Sequence, residues 1–143
     1  MNQKEKSLDK RIKSSRIVLQ NDKENIPNRF KQEKSLEKRV KSSRIVLQNY
    51  KDCIPVIVQK NETCETLADM QQKQFLVPRD LTIGQFLFVI RRKIEMKPEQ
   101  AIFFLVNNTL PPTSSTMGEI YEAYHDAEDG FLYCFYMQEK TFG

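Results

Sequence analysis

The sequence predicts an α+β domain in which a mixed four-stranded sheet carries its main helix across one face, with a helical extension at the amino end. Three observations predict it. The 143 residues suffice for one domain of ordinary size and not two. Nearly all aromatic residues fall between Pro55 and Met137, whereas the first fifty residues are rich in Lys, Arg, Glu, Ser, Gln and Asn and cannot build a core alone. Through the apolar part, the local signals run helix, strand, strand, helix, strand, helix, strand.

Each element has its own signal. Leu36, Val40, Ser43 and Leu47 recur at helical spacing with Val46 beside them, so Ser35–Asn49 reads as a helix docked on the domain. Val56–Gln59 opens on β-branched residues and is the first strand. The polar stretch Lys60–Met70 reads as loop. Gln74–Val77 is the second strand, stopped by Pro78. Thr82-Ile83-Gly84-Gln85 fits a capping box, in which hydroxyl and amide satisfy each other's backbone N–H. That helix runs from Thr82 to Glu95, and Pro98 prevents continuation. Ala101–Val106 is a continuous apolar run, read as a central strand buried on both faces. Asn107–Pro112 is a turn. Thr116-Met117-Gly118-Glu119 offers a second capping box, opening a short helix to His125. Asp129-Gly130 is a turn signal, and Phe131–Met137 is the last strand. This order suits a β-grasp fold, although periodicity alone supports only a generic α+β sandwich.

The beginning of the chain is duplicated. Glu5–Pro27 and Glu33–Pro55 match at 18 of 23 positions with an offset of 28, the first copy differing at residues 9, 12, 22, 24 and 25. Two copies do not make a solenoid, so segmental duplication is the simpler reading. Pro55 leads straight into Val56-Ile57-Val58. Pro27 leads into Asn28-Arg29-Phe30-Lys31, which is no strand. Only the second copy is attached to something it can pack against. Met1–Arg29 therefore reads as a poorly ordered extension with nascent helix, because isolated short helices are marginal in water. The domain proper spans residues 30–143.

Net charge is +4 and its excess sits early: Lys10, Arg11, Lys13 and Arg16 form a cluster that Lys38, Arg39, Lys41 and Arg44 repeat. Such clusters bind phosphate on nucleic acid or lipid. Interleaved Glu5, Asp9, Glu33 and Glu37 favour a solvated helix face instead. Aromatic residues do not alternate with these basic ones, which argues against nucleic acid as a partner. The cysteines Cys53, Cys64 and Cys134 include no C-x-x-C pair. Their odd number and the absence of a signal peptide favour free thiols in a reducing compartment. Cys134 reads as core packing. His125 is the single histidine, so neither a metal site nor a cofactor is expected. No apolar run approaches the ~20 residues needed to span a bilayer, so membrane attachment would be covalent or peripheral. The sequence offers no Cys/His pairing and no phosphate loop.

The helix Thr82–Glu95 has more apolar residues than one core face uses. Ile83, Leu87, Ile90 and Ile94 form one stripe at 100° per residue, with Phe86 at its edge and Phe88 and Val89 outside it. Either a flanking loop covers the surplus, or it lines an apolar groove beside the second strand.

Longer motifs recur in a fixed order. Glu37-Lys38-Arg39 is followed by Ile54-Pro55-Val56-Ile57-Val58, Phe75-Leu76-Val77-Pro78 and Leu81-Thr82-Ile83-Gly84-Gln85-Phe86. Then come Phe103-Phe104-Leu105-Val106-Asn107-Asn108, Leu110-Pro111-Pro112, Asp129-Gly130-Phe131-Leu132-Tyr133 and Thr141-Phe142-Gly143. From Leu36 onward, over roughly three quarters of the chain, these resemble the GABARAP-type ubiquitin-like modifiers of autophagy.

The resemblance implies a β-grasp core with two helices added at its amino end. It implies conjugation of Gly143 to phosphatidylethanolamine by ubiquitin-like activating and conjugating enzymes, the chain supplying the electrophile and no catalyst. Most members carry residues after the glycine that a cysteine protease removes. This tail resembles the minority ending in Glu-Lys-Thr-Phe-Gly, so no priming cut is expected, and the protease is left to free Gly143 from lipid. The implied setting is the cytoplasm and the autophagosome membrane, extending to vacuole or lysosome and to microtubules.

The resemblance also implies binding of receptors and adaptors through short aromatic-x-x-aliphatic peptides that add a strand to a sheet edge. The aromatic pocket maps to Val46, Pro55, Ile57, Leu76 and Phe131. The aliphatic pocket maps to Phe75, Val77, Pro78, Leu81, Phe86, Val89 and Lys93. Family lysines that face acidic peptide residues are replaced here by Gln72 and Gln74, with Lys73, Arg92 and Lys93 as nearby compensating charges.

Overall fold

A computed structural model of the chain describes residues 28–61, 64, 67–70 and 73–139. Nearly all of the extension read over Met1–Arg29, together with Gln72 and Gly143, lies outside them. The elements are α1 (Arg29–Glu33), α2 (Leu36–Asn49), β1 (Cys53–Lys60), β2 (Gln74–Pro78), α3 (Ile83–Lys93), β3 (Ile102–Val106), α4 (Met117–Tyr124) and β4 (Leu132–Gln138).

Local chemistry sets the helix starts. Ser35 caps α2 by accepting from the Lys38 N–H. α3 opens with the reciprocal box: Thr82 Oγ1 accepts from Gln85 N at 3.1 Å and Gln85 Oε1 accepts from Thr82 N at 2.9 Å. Thr116 caps α4 by accepting from Glu119 N.

The sheet order is β2-β1-β4-β3. β1 pairs antiparallel with β2, Val56 opposite Phe75, and parallel with β4, Val58 opposite Cys134. β3 pairs antiparallel with β4, Phe104 opposite Tyr136. The strand read as central, Ala101–Val106, is thus an edge strand. Parallel pairing of β1 with β4 puts the last strand inside the sheet and leaves β3 one neighbour. Only Phe104, Leu105 and Val106 of β3 are buried, and Ile102 and Phe103 are half-buried. The unbroken buried run belongs to β1, from Ile54 to Gln59. Pro55 is tolerated there because pairing with β4 begins only at Val56.

The two sheet faces are covered differently. Ile54, Val56 and Val58 join Phe75, Val77, Leu132, Cys134 and Tyr136 in the main core beneath Ile83, Phe86 and Ile90 of α3. On the opposite face, Ile57 and Phe131 pack with Phe30. Phe30, assigned to no element in the sequence, is the buried residue of α1, and its ring stands edge-on to Phe131 at 5.4 Å. Asn28 and Arg29, read as the end of the extension, are the cap and first residue of α1. The Asn28 side chain accepts from Lys31 N and from Gln59 Nε2. Gln59 Oε1 accepts from Phe30 N at 2.8 Å, which satisfies a buried amide.

α2 is fastened through the Asp129 turn. The buried Asp129 carboxylate accepts from Arg39 Nη1 at 2.6 Å, Tyr133 OH at 2.5 Å and Phe131 N at 2.9 Å. Burial of this charge is tolerable because a cation and two further donors meet it. Ser43 Oγ donates to the Asp129 carbonyl. Gly130 follows with φ +82°, and a Cβ there would lie 3.0 Å from Ser43 Oγ, so both conformation and space select glycine. Tyr136, fully buried, donates to Ala68 O at 2.7 Å and accepts from Met70 N at 3.2 Å, tying down the loop between β1 and β2.

Burial raises the phenol pKa of Tyr121, burial and Asp129 raise that of Tyr133, and burial pushes Tyr136 up to about 12. A raised folded-state pKa contributes stability that is fully present below the unfolded value near 10. That stability is lost as pH rises through the folded value, because the unfolded chain ionises first. The chain has no Trp, so absorbance at 295 nm reports phenolate cleanly. We expect Tyr121, Tyr133 and Tyr136 to form a late-titrating class whose ionisation coincides with alkaline unfolding, and Tyr133→Phe to shrink that class. Phe30→Ala should cost about 3 kcal/mol. Removing Met1–Pro27, which spares the Asn28 cap, should leave the melting temperature unchanged. Thermal denaturation followed by circular dichroism checks both.

Candidate functional site

β2 is the other edge of the sheet, hydrogen-bonded to β1 alone among the described strands. Its side chains alternate: Gln74, Leu76 and Pro78 are exposed, whereas Phe75 and Val77 are buried. The edge therefore borders two regions, one toward α2 and one toward α3.

On the α2 side, Leu76 is 47% exposed and stands opposite Pro55 in register, with Ile57 on the same sheet face. Val46 is buried on α2, and Ile57 and Phe131 are fully buried under Phe30. Of the five residues mapped to an aromatic pocket, Leu76 is thus the accessible one. The other four are buried. Beside them lies a depression of 270 Å³ lined by Phe30, Lys34, Lys38, Arg39, Lys41, Ser42 and Gln74. The basic cluster read as a solvated helix face divides here. Arg39 turns inward to Asp129, while Lys38 and Lys41 stay exposed on the depression. Burial lowers and the Asp129 and Tyr133 hydrogen bonds raise the Arg39 pKa, with a net rise, so it stays charged.

On the α3 side, Phe75, Val77 and Phe86 are core residues. The Phe86 ring meets Phe75 edge-on at 5.7 Å and Phe104 at 5.9 Å, and its residue is 2% exposed. Phe86 was read as surplus at the margin of the Ile83, Leu87, Ile90, Ile94 stripe. The helix instead points Ile83, Phe86 and Ile90 down, and Leu87 is only half-buried. The large ring reaches aromatic partners on two strands, which a stripe average cannot foresee. Val89 and Phe88 remain 37% and 62% exposed, so no described loop covers them. Pro78, Val89 and Lys93 are exposed and Leu81 is half-buried, and Lys93 Nζ lies 5.7 Å above the Phe75 ring.

Phe30, Lys34 and Gln59 were not singled out as site residues, and nothing in their local pattern marks them. Their role comes from the sheet face that α1 crosses. A larger depression of 410 Å³ lies away from the β2 edge, beside Lys31, Asn108, His125 and Asp126. Burial raises but Lys31 and backbone N–H groups lower the Asp126 pKa, with a net fall, and the Lys31–Asp126 pair at 2.5 Å is satisfied internally. Among the described residues no cluster of His, Cys, Asp and Glu could hold a metal, and no helix is long and apolar enough to cross a membrane.

The family model described as "Autophagy protein Atg8 ubiquitin like" matches residues 38–143. The chain is 53% identical over 88 residues to "Autophagy-related protein 8B" of Oryza sativa subsp. indica, covering 62% of this chain and 72% of that protein. The same figures hold for the protein of Oryza sativa subsp. japonica. The crystal structure of Trypanosoma brucei ATG8 matches with a TM-score of 0.75 at 37% identity, covering 82% of this chain and 99% of that one. A mixed four-stranded sheet with two amino-terminal helices, matched in sequence to residue 143 and in fold to a solved member, makes this chain a member of the Atg8 family of ubiquitin-like autophagy proteins.

Proposed function

We propose that this chain is a ubiquitin-like modifier joined through the Gly143 carboxylate to phosphatidylethanolamine, and that on autophagosome membranes it recruits receptors carrying aromatic-x-x-aliphatic motifs. The observation that carries the peptide reading is the geometry of β2. Residues separated by two others in an extended strand point to opposite faces. A strand added to the β2 edge would send its aromatic residue toward Leu76 and α2 and its aliphatic residue toward Val89 and α3. Both sides of the edge offer exposed apolar surface for it. Lys34, Lys38 and Lys41 around the depression would attract acidic residues flanking the motif. These charges stand beside β2, whose own residues Gln74–Pro78 carry none.

The conjugation reading rests on family membership through residue 143. Activation would adenylate the Gly143 carboxylate with ATP, releasing pyrophosphate. The first enzyme thiol would take the acyl group and release AMP, a second enzyme thiol would take it and free the first, and the lipid amine would form the amide and free the second. Glycine suits this role because it lacks a Cβ, leaving the carbonyl open to attack in a narrow channel. The same membership supports the activating and conjugating enzymes and a delipidating cysteine protease as partners.

Leu76→Ala and Val89→Ala should each weaken binding of a synthetic Trp-x-x-Leu peptide by about 1–3 kcal/mol while the protein stays folded. Phe86→Ala should instead lower stability by about 3–5 kcal/mol, because it empties the core. Isothermal titration and thermal melting separate the two effects; unchanged affinity in folded Leu76→Ala would move the peptide site elsewhere. For conjugation, the chain is incubated with the two enzymes, ATP and phosphatidylethanolamine vesicles, and the product is examined by mass spectrometry. Gly143→Ala should slow lipid attachment and deletion of Gly143 abolish it. Peptide binding without any lipid adduct on the wild-type chain would replace the modifier reading with that of a non-conjugated adaptor.

A further inference from the structure

The duplicated segment is the feature that the modifier reading leaves unused. α2 is held to its sheet face by few groups. Arg39 pairs with the Asp129 carboxylate, Ser43 bonds the Asp129 carbonyl, Val46 is buried, Leu47 packs on the main core, and Ser35 caps the helix. Moved back by 28 residues, these five become Arg11, Ser15, Val18, Leu19 and Ser7, each the identical residue. Within the helix the copies differ only at Asp9 for exposed Glu37 and Ile12 for half-buried Val40. The first copy thus carries the whole set of groups by which α2 is attached.

It does not carry α1. The residue 28 positions before Phe30 is Asn2, which cannot fill the space over Ile57 and Phe131. The second copy also joins β1 through a short link in which Cys53 N bonds Tyr50 O. These two advantages explain why α2 holds the site. With residues 7–21 on the site, residues 22–52 would connect them to β1, and a flexible segment of that length spans about 30 Å. Tethering on the same chain favours this arrangement over docking on a neighbouring molecule.

We infer that residues 7–21 are a second occupant for the sheet face bound by α2, docking in its place whenever α2 is released. The exchange puts Lys10 and Lys13 where Lys38 and Lys41 stand, so the basic wall beside β2 is rebuilt with the same residues.

The test disables one copy at a time in the full chain. Arg39→Asp with Val46→Asp sets a carboxylate against Asp129 and a charge in the interface, and so expels α2. Arg11→Asp with Val18→Asp does the same to the first copy. Melting temperature is read for each pair and for the four substitutions together. Hydrogen exchange by mass spectrometry locates the protected helix, and the substitutions distinguish the peptides of the two copies by mass. The second-copy variant should melt cooperatively and several degrees above the four-fold variant, with protection at residues 8–21. The first-copy variant should match wild type. Equal melting of the second-copy and four-fold variants, or no protection at residues 8–21, overturns the inference. A protected first copy found only in a concentration-dependent dimer by sedimentation overturns docking on the same chain and assigns the segment to a neighbouring molecule.

Discussion

The structure is organised by a strand that needs cover on both faces. β1 is buried without a break from Ile54 to Gln59 and hydrogen-bonds to neighbours on both sides. One of its faces lies under α3. The other, carrying Ile57 and Gln59, would stand in water if the chain began at β1. α1 and α2 answer that need. Phe30 is driven onto Ile57 and Phe131 by the cost of exposing apolar surface, and Gln59 spends both ends of its amide on α1. The helices added before the sheet are therefore part of the hydrophobic accounting of the core.

Hydrophobic cover does not by itself orient a helix. Asp129 supplies the direction. Its carboxylate gathers Arg39 from α2, Tyr133 from β4 and the N–H of Phe131, while its carbonyl takes Ser43. Loss of any one donor would leave a buried charge underpaired, which costs more than the pair adds. The cluster thus fixes α2 against the sheet, and the depression between α1, α2 and Gln74 lies beside it. A groove at an edge strand has to be this well determined, because an added strand takes its register from backbone hydrogen bonds and its selectivity from the walls.

The candidate site was only partly legible in the sequence. Leu76 and Pro78 on β2 and Val89 and Lys93 on α3 were singled out and are exposed, whereas Phe75 and Val77 are buried. Phe86 was legible as apolar and misjudged as surplus, because a helical stripe counts angles and takes no account of ring length. Phe30 was invisible: one aromatic among charged residues carries no period, and its partners lie 27 and 101 residues further on. β3 was misjudged for a related reason. An apolar run reports that both faces of a strand avoid water, and a run such as Ala101–Val106 does not say whether its edges are paired.

By itself the sequence determined what is local: the caps at Thr82 and Thr116, the turn at Asp129-Gly130, and the repetition of one segment. Each depends on groups within a few residues, where backbone geometry leaves few options. Only the tertiary structure decided the sheet order, the inward turn of Arg39 and the place of Phe30 beside the second copy. Those outcomes depend on contacts made at long range. The two copies show it most directly, since their inward residues are the same. What separates them is a phenylalanine at position 30 against an asparagine at position 2, and a short link to β1 against a long one. Burial of that ring and the smaller entropy of the shorter closure favour the second copy at the α2 site.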